Sequence, residues 1–538
     1  TNTIIIQGVS STITAPTPQT SGLLNDAIFK LIGADYVTIQ GFIMLENPLN
    51  TTTAAASNNM TEWGVALLYA TTSNGAQNNT IRNNTIDLNR TYQNTFGIYC
   101  NATHTASAPT TSATAIAGGG NNGLKVYENN ITDVNIGILV VGPTAAADHN
   151  DGIDIGGVSL TTGNTITNYG TTGTFSSYAN VSGSVNGILV RNSKNFNISY
   201  NTITSSNGGI TSGTLRGVFI PAFNNAPTGN ILNNINNNVI SLKSGVAAGA
   251  IIGIINEATT VSSTTTLSIN NNDFNNFGHT VSGTAAITLI SNVATTQITN
   301  INSNTFTNIN VNTTGSFTFI SNSVTHPAGS VTNVNNNSIV TAFAKTGAGG
   351  TVYFYDAFGS TVGGSETNSG NVFSNITLTG ATTLGGFRSA DGATPYPSKT
   401  VTNNIFNNIV NGAGAITILN VGYSAVGTTN SVSGNTISNI SGGAGIIGIT
   451  SVAGDQSFSN NIINGLNSTG ASTVSAISIT GGTTQSIFKN KIFDIQANNA
   501  SGVVNGIIAS SGTTINIYNN FIGDLSTLIA NDTNPFIG

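Results

Sequence analysis

Charged side chains are scarce in this sequence. Asp, Glu, Lys and Arg together supply 6% of the 538 residues, against roughly a quarter in an average soluble domain. The formal net charge of −6 rests on these few residues, and Lys and Arg form no run. Nucleic acids and anionic membrane surfaces attract basic patches, so neither is expected as a partner.

Cysteine and long apolar runs are also nearly absent. Cys100 is the only cysteine, so no disulfide can form within the chain. No apolar stretch approaches the roughly 20 residues that a membrane-spanning helix needs, and we expect no membrane insertion. The sequence opens on Thr1 and a strand-like run, without the basic start of a signal peptide. This opening favours a mature or excised chain.

What the sequence has in abundance is one repeated pattern. An apolar residue, two further residues, Asn, one residue and another apolar residue recur, as in 81–86 and 517–522. The units lie about 31 residues apart in the second half of the chain. Gln40 fits the same frame in an earlier unit, with Gln in place of Asn. The fixed position is Asn in fourteen consecutive units: Asn84, Asn129, Asn164, Asn201, Asn238, Asn272, Asn304, Asn337, Asn371, Asn404, Asn435, Asn461, Asn490 and Asn520.

Each unit also carries a second strand signal, in which Gly or Ala precedes a short apolar run, as in 137–140 and 187–190. Asn, Gly, Thr and β-branched residues are poor helix formers, so the units indicate strands. A propeller or a sandwich would accept this period, but neither explains an identical polar residue in every unit. In a parallel solenoid, coils stack about 4.8 Å apart, so each Asn lies over the next.

The sequence therefore predicts an all-β fold, a single parallel β-helix of about fifteen coils that forms one continuous domain over 1–538. Longer loop insertions are expected near 44–62 and 100–122. Each ladder amide can donate to one neighbour and accept from the other, whereas stacked buried carboxylates would repel. Asn also tolerates the left-handed backbone of a sharp corner, so we expect the ladder residues at such corners.

The repeats resemble those of the right-handed parallel β-helices of the pectate-lyase-like superfamily. Units such as 433–440 and 162–168 are most similar to the Asn-rich β-helix regions of large surface proteins that Bacteroidota-type bacteria export. The resemblance covers 37–525 and implies a right-handed coil and an extracellular or cell-surface location. It implies little about activity, because the superfamily includes lyases, hydrolases, adhesins and spacers.

One segment is a lead towards catalysis. Asp148, Asp151 and Asp154 lie in a stretch similar to the Asn-Thr-Asp catalytic segment of polygalacturonases, which need paired carboxylates. The remaining segments of that family are missing, and the Gly-Gly turn of 154–164 recurs without the acids at 361–371. Three carboxylates from neighbouring coils would have to converge, which only the stretch from Asp87 through Asp133 to Asp154 could provide. We therefore expect no catalytic residues.

Binding and metal sites are equally sparse. Trp63, Tyr92 and Tyr99 lie near the two expected insertions, where an exposed aromatic patch would stack on sugars or bind a protein. Alternatively, Trp63 and Tyr99 plug the end of the coil stack. The four histidines occupy different units, which favours solvent-facing loop positions over a metal site. Asp494 and Asp524 share one place in adjacent units and are expected to splay apart unless a cation bridges them.

These features favour a non-catalytic extracellular structural or adhesive rod, either a filament subunit or a segment of a large cell-surface protein. The alternatives are a carbohydrate-binding surface module and a polysaccharide lyase or hydrolase that uses Asp148, Asp151 and Asp154. No cofactor is expected. Apolar residues at 3–6 and the lack of an amphipathic cap at 534–538 favour end-to-end self-association or continuation in a longer chain.

Overall fold

The structure is a computed structural model and confirms an all-β parallel β-solenoid, of about 14 turns. It describes residues 3–17, 19, 26–53, 58–101, 120–171, 185–208, 213–260, 264–324, 327–358, 363–390, 397–422, 430–470, 472–530 and 536–537. Parts of the two expected insertions, 54–57 and 102–119, and also His104 and His326, lie outside these residues. The chain divides into two compact units, 1–281 and 282–538.

Each coil contributes up to three kinds of strand. A pre-ladder strand comes before the ladder Asn, a post-ladder strand follows it, and a second-sheet strand lies on the other side of the coil. In the first unit the pre-ladder and post-ladder strands are Ile4–Thr14, Val37–Leu45, Thr80–Arg82, Thr85–Asp87, Lys125–Tyr127, Asn130–Thr132, Asp154–Ile155, Thr165–Tyr169, Asn197–Ser199, Thr202–Ser205, Leu232–Asn236, Val239–Ser241, Thr266–Asn270 and Asp273–Asn275. Its second-sheet strands are Ala27–Ile32, Trp63–Leu68, Phe96–Cys100, Ile136–Val141, Val185–Arg191, Leu215–Ile220 and Ile251–Asn256.

Among its described residues, the first unit also has two small parallel pairs and one short helix. Asn150–Asp151 pairs with Ser193–Lys194, and Lys243–Ser244 pairs with Gly278–His279. The helix is a single 3-10 turn, Ala146–Asp148. No helix among the described residues is long and apolar enough to cross a membrane.

The second unit repeats the design. Its pre-ladder and post-ladder strands are Ile298–Asn302, Thr305–Thr307, Asn310–Val311, Val331–Asn335, Ser338–Ile339, Phe343–Lys345, Ser365–Ser369, Val372–Leu378, Ser398–Thr402, Ile405–Val410, Ser431–Ser433, Thr436–Gly442, Gln456–Ser459, Ile462–Ser468, Thr484–Phe488, Lys491–Ala497, Thr514–Tyr518, Phe521–Ile522 and Leu525–Ser526. Its second-sheet strands are Ile287–Asn292, Phe317–Ser321, Thr351–Ala357, Thr383–Ser389, Ile416–Asn420, Ile446–Ser451, Thr473–Ile479, Val503–Ala509 and Phe536–Ile537.

Strands of successive coils pair in parallel and keep equivalent residues opposite each other. Phe406 lies beside Ile437, and Ile437 beside Ile463, and all three side chains are fully buried. Alternate residues point inwards because successive side chains of a strand face opposite sides. The core of each unit is therefore a set of columns of stacked apolar side chains.

The predicted asparagine ladder is confirmed. Asn435 illustrates the geometry: its Nδ2 donates to Asn461 Oδ1 (3.0 Å) and to the Val401 carbonyl (2.9 Å). Its Oδ1 accepts from both the side-chain and the backbone nitrogen of Asn404, at 2.9 and 3.0 Å. The same bonds link Asn84 through Asn272 in the first unit, and Asn304 through Asn520 in the second.

The prediction that Gln40 belongs to the ladder is wrong. It pairs with Arg82 and its side chain bonds Gln7 at the surface. The ladder place in that coil belongs to Phe42, whose backbone nitrogen donates to Asn84 Oδ1 (3.1 Å). Because Phe has no amide, the side-chain ladder begins at Asn84.

The prediction that the ladder residues have a left-handed backbone is also wrong. The residue with positive φ is the one that precedes the ladder Asn, as at Asn83, Asn403 and Asn460. Glu128, Tyr200 and Lys489 take the same conformation. The ladder Asn itself therefore lies just after the corner, with its side chain turned inwards.

We expect Asn435→Asp to destabilise the protein by about 3 kcal/mol or more, because a buried carboxylate loses both donor bonds and faces two oxygens. Asn439→Asp in the same coil should change stability by less than about 0.5 kcal/mol, because Asn439 is exposed. Thermal unfolding of the two variants beside the wild type is the measurement. Equal melting temperatures for both variants would contradict the ladder account.

Candidate functional site

The three candidate acids lie in the first unit, and two of them, Asp151 and Asp154, bond side chains of neighbouring coils. Asp154 lies between Lys125 and Asn197 in adjacent strands. Its Oδ2 accepts from the Tyr127 hydroxyl (2.5 Å) and its Oδ1 from Asn197 Nδ2 (2.8 Å). Burial is the main cause that raises the pKa of Tyr127, and its bond to Asp154 adds to the effect.

Asp151 and Asp148 occupy different places. Asp151 Oδ1 accepts from Asn195 Nδ2 (2.8 Å), and its other oxygen lies 3.7 Å from Lys194 Nζ. Asp148 ends the short 3-10 turn. The carboxylates of Asp151 and Asp154 are thus engaged by Asn and Lys or Tyr of neighbouring strands, an arrangement that joins coils.

Asp87, Asp133 and Asp154, the three acids that would have to converge in a catalytic site, do not lie on the same side of the ladder. Asp154 belongs to a pre-ladder strand, whereas Asp87 and Asp133 follow the ladder Asn of their coils. Burial, with a smaller contribution from the Asp133 charge, raises the pKa of Asp87. Arg90 Nε lies 3.4 Å from Asp133 Oδ1, so this pair of acids is partly neutralised by a cation.

The predicted aromatic patch is not at the surface. Trp63, Tyr92 and Tyr99 are buried, so of the two interpretations of these residues the exposed binding patch is wrong. Trp63 and Tyr99 stack with their ring centroids 4.6 Å apart, within an apolar cluster of second-sheet strands. The Tyr92 hydroxyl donates to Glu62 Oε1 (3.0 Å). These rings pack the protein and present no face for a sugar to stack on.

The two described histidines are buried, contrary to the expected solvent-facing positions. His279 Nε2 lies 2.9 Å from the Gly249 carbonyl. His149 stacks on Phe223 with centroids 5.1 Å apart. Burial lowers the pKa of His149 to about 4, although the Thr144 backbone and Asp148 act in the opposite sense. Among the described residues no group of three or more His, Cys, Asp or Glu side chains could hold a metal ion.

A groove that the sequence did not predict runs across several coils of the second unit. It follows the post-ladder strands, each of which has a left-handed residue four positions after the ladder Asn: Asn375, Asn408, Asn439, Gly465 and Asp494. An extra left-handed residue bends a strand. Because the bends fall at the same place in successive coils, they stack into a groove of about 550 Å³.

Amide side chains line one part of the groove, and apolar side chains such as Ile376 and Val410 line another. Asn408 Nδ2 donates to Asn375 Oδ1, and Asn439 Nδ2 to Asn408 Oδ1, both at 3.2 Å. Gly465 interrupts this row, and the space its missing side chain leaves lies between Asn439 and Asp494. Asp494 Oδ1 accepts from Gln496 Nε2 (2.8 Å). The groove therefore offers amide donors and acceptors with a single carboxylate.

A second missed feature lies inside the second unit. The residue five positions before the ladder Asn is polar and buried in successive coils: Thr299, Thr332, Glu366, Lys399, Asn430, Gln456 and Gln485. Alignment of the units on the ladder would have found this interior column, because an inward position of a coil is ordinarily apolar.

Comparison of the chain with protein-family models, curated proteins and solved structures found no match.

We expect His149 to make stability depend on pH. The folded-state pKa of about 4 lies below the ordinary histidine value of 6.5, so between these values the unfolded chain binds a proton that the folded protein does not. The resulting stability is complete above pH 6.5 and is lost as the pH falls towards about 4. The His149→Phe variant, which keeps a ring against Phe223, should lack this dependence.

The measurement is the difference in melting temperature between the wild type and His149→Phe across that pH range. On acidification, the melting temperature of the wild type should fall more than that of His149→Phe. A difference that stays constant with pH would contradict the assignment.

Proposed function

We propose that this chain is a non-catalytic structural or adhesive rod, a filament subunit or a segment of a large cell-surface protein. The observation that carries the proposal is the ladder. Asn Oδ1 and Nδ2 groups link coil to coil in both units, in addition to the parallel strand pairing. Bonds repeated at every coil along the stacking direction suit a protein that spans distance or bears load.

Exposed core positions support association through the end coils. Ile4 pairs with Val37 and Ile517 pairs with Ile487. The exposed fractions of Ile4 and Ile517 are 58% and 50%, against 4% for Val37 and 0% for Ile487. Residues that are core elsewhere are thus open in these coils, and further coils of the same design would cover them.

The hydrolase alternative has less support. Tyr127 and Asn197 hold Asp154, and Lys194 and Asn195 hold Asp151. A retaining or inverting glycosidase needs one carboxyl to protonate the leaving group and another to act as nucleophile or base.

The likeness to exported β-helix proteins of the pectate-lyase-like superfamily supports a cell-surface or extracellular location.

We expect the purified chain to assemble end to end, because axial contact buries the exposed core positions. Ile4→Lys or Ile517→Lys should keep it monomeric, since each places a charge in that contact. Val158→Lys is the matched control, because Val158 is also exposed but lies in a loop between strands. Electron microscopy and sedimentation velocity are the measurements.

A wild-type protein that stays monomeric at high concentration, or Lys variants that all assemble alike, would contradict axial association. Release of oligosaccharides from pectin by the wild type, abolished in Asp154→Asn, would instead support the hydrolase.

The amide-lined groove favours carbohydrate binding as a second candidate function. Its volume lies in the range of ligand sites, roughly 300–1,000 Å³. Amides both donate and accept hydrogen bonds, as neutral sugar hydroxyls require, and coils repeat at about 4.8 Å along the groove. A neutral polysaccharide strand lying along the stacking direction would meet the amides of Asn375, Asn408 and Asn439 at three successive coils.

We expect Asn467→Ala and Gln496→Ala each to weaken binding of such a glycan about tenfold, the equivalent of one net hydrogen bond. Thr400→Ala, on an exposed pre-ladder position, should leave binding unchanged. A glycan array followed by calorimetry is the measurement. Equal affinities in all three variants would exclude the groove.

A further inference from the structure

The interior column of the second unit contains one ion pair. Glu366 and Lys399 lie opposite each other in adjacent pre-ladder strands. Their side chains are only 5% and 0% exposed, and Lys399 Nζ is 3.7 Å from Glu366 Oε2. Charged side chains are almost never buried at this depth without a specific partner, so the surroundings of this pair are informative.

Ser389 and Asn368 complete the cluster. Lys399 Nζ donates to the Ser389 carbonyl (2.7 Å) and to its Oγ (2.8 Å). Glu366 Oε1 accepts from Ser389 Oγ (2.8 Å) and from Asn368 Nδ2 (2.6 Å). One buried carboxyl group thus contacts an amine through one oxygen and a primary amide through the other.

Asn368 is a polar residue at a position that is apolar in the adjacent coils. It occupies the inward position three residues before the ladder Asn, where adjacent coils have Val334 and Val401. Its Oδ1 is buried, and the described part of the chain provides that atom with no hydrogen-bond donor. The ladder uses only the backbone carbonyl of Asn368, which accepts from Asn404 Nδ2. Stacking therefore gives no reason for an amide at this position.

The amine can reach the amide. Asn368 is two residues beyond Glu366 on the same inward face, so it is the diagonal neighbour of Lys399 across the strand pair. Diagonal neighbours are roughly 7–8 Å apart, within reach of long side chains. The lysine stem adds the remaining span.

We propose that Lys399 and Asn368 form an intramolecular isopeptide bond, with Glu366 as the proton carrier. Proton transfer within the ion pair gives a neutral amine and a neutral carboxylic acid. Lys399 Nζ then attacks Asn368 Cγ, and a new C–N bond forms. Glu366 protonates Nδ2, the old C–N bond breaks, and ammonia leaves. The excess proton on Nζ then passes to Glu366, which began as the carboxylate of the ion pair and ends as a neutral carboxylic acid.

Burial favours this reaction. The neutral amine is the nucleophile, and burial excludes water that would compete with it for the amide carbon. The product has an uncharged amide in place of the amine, and the protonated Glu366 can donate to the amide oxygen that now has no donor. The crosslink joins two adjacent coils covalently, and it does not depend on the proposed function.

The intact mass of the purified full-length chain tests the proposal. It should be lower than the sequence mass by one ammonia molecule, and a proteolytic digest should contain a branched peptide that joins Lys399 to Asn368. The branched peptide separates the crosslink from succinimide formation at an asparagine, which also releases ammonia. A wild-type protein with the full sequence mass, or without the branched peptide, would overturn the proposal.

Variants separate the roles. The Glu366→Gln variant keeps both reacting side chains, but its intact mass should equal its sequence mass, because Gln cannot carry the proton and no ammonia is lost. Lys399→Met should also lose no ammonia. Lys345→Met is the matched control: Lys345 is equally buried but donates only to the carbonyls of Gly347 and Gly349, so this variant should still lose ammonia. Loss of ammonia that persists in Lys399→Met would contradict the proposal.

Discussion

The hydrogen bond between stacked asparagine amides is the interaction on which this structure depends. At a ladder residue with Asn on both sides, such as Asn435, Oδ1 accepts two bonds from the preceding coil, and Nδ2 donates one forwards and one back. An inward-turned polar group is thereby satisfied without water. Because both partners must be Asn at the same place, the ladder sets the register of the strands that begin beside it, as at Phe406 and Ile437.

Fixed register explains how features with little individual sequence signal become extended surfaces. A left-handed residue four positions after the ladder Asn is a local bend, yet its repetition at Asn375, Asn408 and Asn439 makes a groove. A polar residue five positions before the ladder Asn is one inward side chain, yet its repetition makes a buried column. In a solenoid, each position in the coil becomes a line along the stack.

The sequence was sufficient for the ladder because period and residue identity coincide at the same position. It was insufficient for Gln40, because spacing alone does not show that Gly41 (φ 76°) takes the turn and that Phe42 takes the ladder place. It left two interpretations open for Trp63 and Tyr99, which are buried on the second sheet. Whether an aromatic ring is exposed depends on what covers that sheet, and a coil period carries no such information.

The fixed register also brings together residues that would not react if they were apart. An unconstrained lysine and a distant asparagine rarely meet, and the entropy of bringing them together opposes reaction. Here the ladder bonds of Asn371 and Asn404 hold the two coils in register, which keeps Lys399, Glu366 and Asn368 adjacent as long as the protein is folded. Holding reactants in place can supply several kcal/mol of an activation barrier. A ladder built for stability therefore also provides the fixed geometry that a buried amine and amide need to react.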